Sequence, residues 1–216
     1  MSYFKALLLT NFRNYESAQL DNLSSRPVVI HGANGSGKTN ILEAISFFVP
    51  GRGLRGARLA DIQNKKIGGF PWAISTAIET PYGLTKIGTG KDQNTDKRLL
   101  RVNGEKVSSQ GRLAEYLAMI WITPQMDRLF LEGTSQRRRF FDRLIFSFDP
   151  AHSGRISRYE KALSQRSKIL KDYDTPDPAW LTSLEKTLAE TGVAVAAARI
   201  DFLSRLQDAC DNAPHI

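Results

Sequence analysis

Apolar and polar positions alternate along the first hundred residues and then change period. YFKALLLTNF and ESAQLDNL, separated by Arg13-Asn14-Tyr15, predict an antiparallel pair of strands, and RPVVIHG adds a short β-branched run at 26–32. WAISTAIET and YGLTKIGTG flank the turn signal Thr80-Pro81-Tyr82-Gly83, and RLLRVNGEKV carries the hairpin dipeptide Asn103-Gly104. A helix from about Ser109 to Leu117 and a buried strand AMIWI complete this half. From Ser135 the period becomes helical. Two long helices, at about 151–172 and 178–212, flank the break Asp174-Thr175-Pro176-Asp177-Pro178 and form an antiparallel hairpin, with Leu181, Leu184 and Leu188 on one stripe.

Charge divides the chain in the same way. Of 30 basic and 22 acidic residues, nine and nine lie in 151–216, so the whole excess of eight belongs to the first 150 residues. A basic front half suits a polyanion, nucleotide or nucleic acid, although ordinary solubility charge gives the same composition. Cys210 is the only cysteine, which rules out a disulfide framework and fits a reducing compartment. His31, His152 and His215 have no zinc-ligand spacing. No apolar stretch approaches the roughly 20 residues of a membrane span, and MSYFKALLLTNFRN predicts a first strand and no signal peptide. A soluble, cytoplasmic protein is expected.

The chemistry concentrates at Gly32-Ala33-Asn34-Gly35-Ser36-Gly37-Lys38-Thr39, a full match to G-x-x-x-x-G-K-[ST]. Glycines let backbone N–H groups turn inward around a β-phosphate. Lys38 would neutralise the β- and γ-phosphates of ATP, and the Thr39 hydroxyl would ligate Mg²⁺. A helix opening near Lys38 would aim the positive end of its dipole at the anion. The context agrees: Pro27 to Ile30 predicts the strand before, and TNILEAISFF the helix after, with Ile41, Leu42, Ile45 and Phe48 on one face. The alternative is a Gly-rich turn without a ligand. His31 is read as a strand-end residue.

Hydrolysis also needs an acid at the end of a buried strand. Leu144-Ile145-Phe146-Ser147-Phe148-Asp149 comes nearest, but Phe140, Phe141, Leu144, Ile145 and Phe148 recur at helical spacing, which makes Asp149 a helix-terminal acid. AMIWITP has strand character and no acid at its end.

Several stretches together resemble the N-terminal part of the RecF family, ABC-type ATPases related to SMC heads. LLLTNFRNYES resembles the family's first strand and its turn, here Phe12-Arg13-Asn14-Tyr15. GANGSGKTNILEAI resembles its Walker A, including Asn34 and Thr39-Asn40. GRGLRGARLADI resembles the segment after the first helix, with Gly53 and Leu54 where the family usually has Ser and Phe. ITPQMDRLFLEGTSQRRRFFDRLI resembles the Q-loop region and the following Arg-rich helix, with Thr134 for the usual Pro and Phe141 for the usual Leu. The likeness runs from residue 3 to about 160. Beyond Tyr159 it is one of helical character alone.

The resemblance implies an α/β fold: a P-loop ABC-type ATPase head, with a mixed sheet around a Walker A helix, followed by a helical lobe that looks truncated. The expected lobes are 1–134 and 135–216. The family's signature motif and Walker B do not occur before Ile216, so this chain is expected to lack a complete hydrolytic site, while the complete protein would be a weak DNA-stimulated ATPase. By resemblance, Gly32 to Thr39, Asn40 and Arg13 serve ATP, and Gln125 sits at the Q-loop as a catalytic and Mg²⁺-contacting residue, or is a polar turn residue after Pro124. Arg137 and Arg138 brace the head or form a solvated face. DNA contacts would fall to Arg52, Arg55, Arg58, Lys65 and Lys66, with Lys97, Arg98 and Arg101 as further candidates, all reading phosphate. The family acts in recombinational repair at gapped or junction DNA, dimerises with ATP, and helps RecA load with RecR and RecO. Alternatives are another ABC/SMC-like head (an overcoming-lysogenisation type nuclease among them), a small-molecule P-loop kinase, or a nucleotide-binding module without hydrolysis.

Overall fold

The structure is a computed structural model that describes residues 2–67, 70–95, 97–131, 133–173, 175 and 177–213. Asp174 and Pro176 of the expected helix break, and His215, lie outside the described residues. The chain forms two compact units, Met1–Trp121 and Ile122–Ile216. The expected lobe border at 134/135 falls instead at the start of a helix inside the second unit.

The first unit is built on a six-stranded sheet. Its strands are β1 (Tyr3–Phe12), β2 (Tyr15–Leu20), β3 (Ala73–Thr80), β4 (Gly83–Lys91), β5 (Arg98–Val102) and β6 (Glu105–Lys106), in the order β2-β1-β3-β4-β5-β6. All its pairings are antiparallel. Register follows the apolar alternation: Leu7 stands opposite Thr76 and Leu9 opposite Ile74, and these side chains share the buried face with Ile78, Ile87 and Leu100. A slip of one residue would turn that whole set to solvent. The two-residue turn after Val102 places Asn103 and Gly104 both at positive φ (51° and 90°), as the Asn-Gly pair predicts.

Helix α1 (Lys38–Ser46) and the short α2 (Leu59–Ile62) accompany this sheet, and α1 contacts β1. Phe12, Phe47 and Trp72 form an aromatic cluster with ring centroids 5.5–6.2 Å apart, and the Trp72 indole donates to the Leu59 carbonyl at 2.9 Å. Of the apolar stripe predicted for α1, Ile41 and Phe48 are buried, but Leu42 is 50% exposed. Its neighbour Glu43 is buried instead.

Three local expectations are corrected. Pro27 to Ile30 and the AMIWI segment form no strand. A strand exists only by pairing, and no described strand pairs with either segment. Ile30, Met119 and Trp121 still pack on the core, whereas Val29 is 82% and Ile122 83% exposed. The helix expected over Ser109 to Leu117 is a 3-10 helix, Gln110–Glu115, whose Ser109 hydroxyl accepts from the Gly111 N–H. Leu113 and Leu117 reach the core.

The second unit contains α3 (Thr134–Phe146), α4 (Ala151–Asp172) and α5 (Pro178–Asp211). Helices α4 and α5 pack on each other through Ala162, Ile169 and Leu184, with Leu181 and Leu188 alongside. Asp149 precedes α4 and accepts from the Ala151 N–H at 3.0 Å, so it is the helix-terminal acid expected. Asp142 of α3 binds His152 of α4 (3.0 Å) and, in bidentate fashion, Arg199 of α5 (2.9 and 2.8 Å). Burial pushes the Asp142 carboxyl up, but these hydrogen bonds outweigh it and hold the group below the usual carboxylate range.

Candidate nucleotide-binding site

Residues 32–37 form the loop that enters α1. Gly37 takes the left-handed conformation (φ 102°) immediately before Lys38, and its carbonyl accepts from the Asn40 N–H at 2.7 Å. A side chain is excluded there twice over. A Cβ would stand 2.6 Å from the Tyr15 hydroxyl and 2.7 Å from the Asn14 amide, besides the strain of positive φ. The first turn of α1 therefore opens directly from the loop, with the unpaired N–H groups that every helix start presents.

The Lys38 ammonium donates to the Gly32 and Ala33 carbonyls at 2.7 and 2.8 Å, folding over the loop it follows. Thr39 is exposed at the helix start, and its hydroxyl is a hard oxygen donor of the kind Mg²⁺ prefers. No set of three or more His, Cys, Asp or Glu residues among those described could hold a metal ion. A Mg²⁺ here would take the Thr39 oxygen together with phosphate and water oxygens.

Arg13 and Asn40 stand beside the loop, but their donors are directed to protein. Arg13, itself in the left-handed region (φ 55°), binds Glu43 through Nε (2.9 Å) and Nη2 (2.6 Å), and donates through Nη1 to the Asp61 carbonyl (2.7 Å). Arg55 also reaches Glu43, at 3.0 Å, and the Asn40 Oδ1 at 2.9 Å. Glu43 thus unites the β1–β2 turn, α1 and the segment after it. Glu43 is not singled out by any sequence motif, and Asn14 figures in the sequence only as part of the turn Phe12-Arg13-Asn14-Tyr15. An acid inside the apolar run of NILEAI was the available signal, because a carboxylate on the core side of a helix requires cationic partners.

Arg98, a candidate DNA contact by sequence, is corrected: it is half-buried and its donors are directed inward. It stacks on the Phe47 ring (5.2 Å) and donates to the Phe47 carbonyl, to Gly51 O (3.0 Å), to Gln110 Oε1 (3.1 Å) and to Thr89 Oγ1 (2.8 Å). Burial lowers its pKa to about 10. The guanidinium sits at the C-terminal, negative end of α1 and anchors residues 47–51. Nearby, Ser46 Oγ accepts from the Leu54 N–H at 2.6 Å, and Gly53 approaches Phe47 so closely that a Cβ would lie 2.7 Å from the ring. This packing sets the path of the segment that carries Arg55. Arg52, Arg55, Arg58, Lys65 and Lys66 are all exposed on the stretch following α1, as are Lys97 and Arg101 on the β-hairpins.

Residues 32–40 and Arg13 are thus gathered in the first unit. Gln125 belongs to the second unit, exposed on the short 3-10 helix Pro124–Arg128. His31 is exposed and in no strand.

Comparison with known proteins gives this geometry its context. The family model for the RecF/RecN/SMC N-terminal domain matches residues 3–198. The DNA replication and repair protein RecF of Caulobacter vibrioides is 45% identical over 215 residues, which cover 95% of this chain and 55% of that protein. The chain thus spans about half the length of the curated relatives it matches. A solved structure of the recombination mediator protein RecF with ATPrS superposes with a TM-score of 0.86 at 26% identity, and one with ATP with 0.84 at 27%, each covering 96% of this chain and 56% of that one. With the family model matched over nearly the whole chain, the protein belongs to the RecF/RecN/SMC N-terminal domain family.

Proposed function

We propose that this chain is the nucleotide-binding part of an ATP-dependent DNA-binding protein of recombinational repair and replication restart. The observation that carries the reading is the loop 32–39 running through a left-handed Gly37 into α1, with Lys38 folded over it, in a chain similar to RecF structures that hold ATP. Lys38 exchanges the Gly32 and Ala33 carbonyls for β- and γ-phosphate oxygens, and first-turn N–H groups complete the cradle. Thr39 would hold Mg²⁺, which would supply neutralisation of the phosphate charge. Gln125 of the second unit is assigned, by resemblance, as the Q-loop residue. Arg13 supports the site through Glu43.

In the intact protein, ATP drives two heads together on gapped or junction DNA, hydrolysis is slow, and the complex helps RecA load with RecR and RecO. The exposed cations of residues 52–66 supply phosphate contacts. The RecF proteins of the two similar solved structures are recombination mediators in the RecFOR pathway, which supports this context. In the intact protein, Lys38→Ala should weaken ATP binding about 10- to 100-fold, the worth of a charge-assisted hydrogen bond, and abolish ATP-dependent dimerisation on DNA. Fluorescent-nucleotide titration and analytical ultracentrifugation read the two effects; an unchanged affinity and dimer fraction would refute the assignment.

A further inference from the structure

Glu43 is fully buried, and a buried carboxylate is costly unless cations and hydrogen bonds compensate it. Arg13 supplies two bonds and Arg55 one. The Arg55 Nη1 group that meets Glu43 also donates to Asn40 Oδ1 at 2.9 Å. With its oxygen so engaged, Asn40 turns its NH₂ to Asn14 Oδ1 at 2.7 Å. Asn14 in turn points its NH₂ at the Ser36 carbonyl, a long contact of 3.4 Å that the Tyr15 hydroxyl reinforces at the same distance. Each link runs donor to acceptor in one sense. The guanidinium that Glu43 holds therefore dictates the orientation of both amides.

The end of this chain is the Ser36–Gly37 peptide. In a trans peptide the C=O and N–H point in opposite directions. Holding the Ser36 carbonyl toward Asn14 therefore turns the Gly37 N–H to the opposite side of the loop. Asn14 and Tyr15 stand so close to Gly37 that a Cβ there would meet both.

Resting on the nucleotide-binding reading above, we infer that Glu43 is a positioning residue for nucleotide, acting through Arg55, Asn40 and Asn14 to aim the Gly37 N–H at a phosphate. Arg55 is then part of the support of the nucleotide site, with at least one donor committed inward.

The test uses the intact protein, a fluorescent ATP analogue and thermal unfolding. Asn14 is exposed, so Asn14→Ala should leave the melting midpoint in place while raising Kd about three- to tenfold, the worth of one hydrogen bond. Glu43→Gln should raise Kd at least as much. Glu43 and Asn14 do not touch, so independent effects would multiply; a relay instead makes the double variant no weaker than Glu43→Gln alone. Should Glu43→Gln not fold, the exposed Arg55→Met takes its place in the same cycle. Unchanged Kd in Asn14→Ala, or multiplying effects in either double variant, overturns the proposal. Lys38→Ala separates the two readings: if it weakens binding and Asn14→Ala does not, only the relay fails, whereas binding indifferent to Lys38→Ala removes the nucleotide site itself.

Discussion

Two buried carboxylates, one in each unit, solve the same electrostatic problem to different ends. Glu43 gathers Arg13 from a β-turn and Arg55 from an irregular segment, and Arg55 reaches onward to Asn40, beside the phosphate loop. Asp142 gathers His152 and Arg199 from two other helices, and its bonds tie α3, α4 and α5 together. In both, a carboxylate that would be unfavourable alone becomes specific because its partners must arrive in one geometry. What differs is the element that brings the partner. Partners on loops can transmit position to a ligand site, whereas partners on long helices fix how the helices pack.

The largest expected effect concerns the aromatic cluster of the unit that holds Glu43. Trp72 is fully buried, meets Phe12 and Phe47 at 5.7 and 5.5 Å, and donates to Leu59. Trp72→Ala should destabilise the first unit by about 3–5 kcal/mol and speed hydrogen exchange in β1, β3 and α1. Exchange protection left intact in those elements would show that the first unit does not depend on the aromatic cluster.

Next in size is the second carboxylate. Asp142→Asn leaves His152 and Arg199 without their shared anion. Because Arg199 is about a third exposed, the loss should be about 2–3 kcal/mol, below the ~3–5 kcal/mol of a fully buried pair. The folded-state pKa of Asp142 lies below its ordinary value. Its stabilisation is therefore fully present above the unfolded pKa of about 3.9 and is lost as pH falls below that toward the folded value. Urea midpoints measured on the helical unit across this range should fall with acid in the parent and less steeply in Asp142→Asn. Parallel curves would mean that Asp142 is not a main source of the acid sensitivity.

The contrast between the units also explains what was legible in the sequence. The helices 151–172 and 178–212 and the strands from Tyr3 to Lys106 announce themselves by local period, and the phosphate loop by its spacing. Val28, Val29, Ile120 and Ile122 carry strand character too, but pairing is a non-local property that no local pattern supplies. Arg98 read as a surface cation because charge predicts exposure only on average; the Phe47 ring and the α1 carboxyl end that bury it lie some fifty residues earlier. The Asn14–Asn40 pair was equally hidden, since a side-chain relay depends on three-dimensional approach. Glu43 alone left a trace, an acid on the core side of an apolar helix.

The smallest expected effect sharpens that last point. The helical stripe predicted Leu42 as a core residue of α1, yet Leu42 is half exposed while Glu43 beside it is sealed. Leu42 and Glu43 lie about 100° apart around the helix axis, and in this orientation Glu43 is the one turned inward. If the helix is rotated to bury Glu43, Leu42→Gln should change stability by less than about 0.5 kcal/mol, a shift of the melting midpoint within about 2 °C. Were α1 rotated to bury Leu42 instead, the same substitution would cost several times more, on the scale of the ~2–5 kcal/mol lost when a core Leu is truncated to Ala. It would also carry Glu43 out toward water and away from Arg13 and Arg55. A single exposed-face variant thus reports on the orientation of the buried carboxylate without touching it.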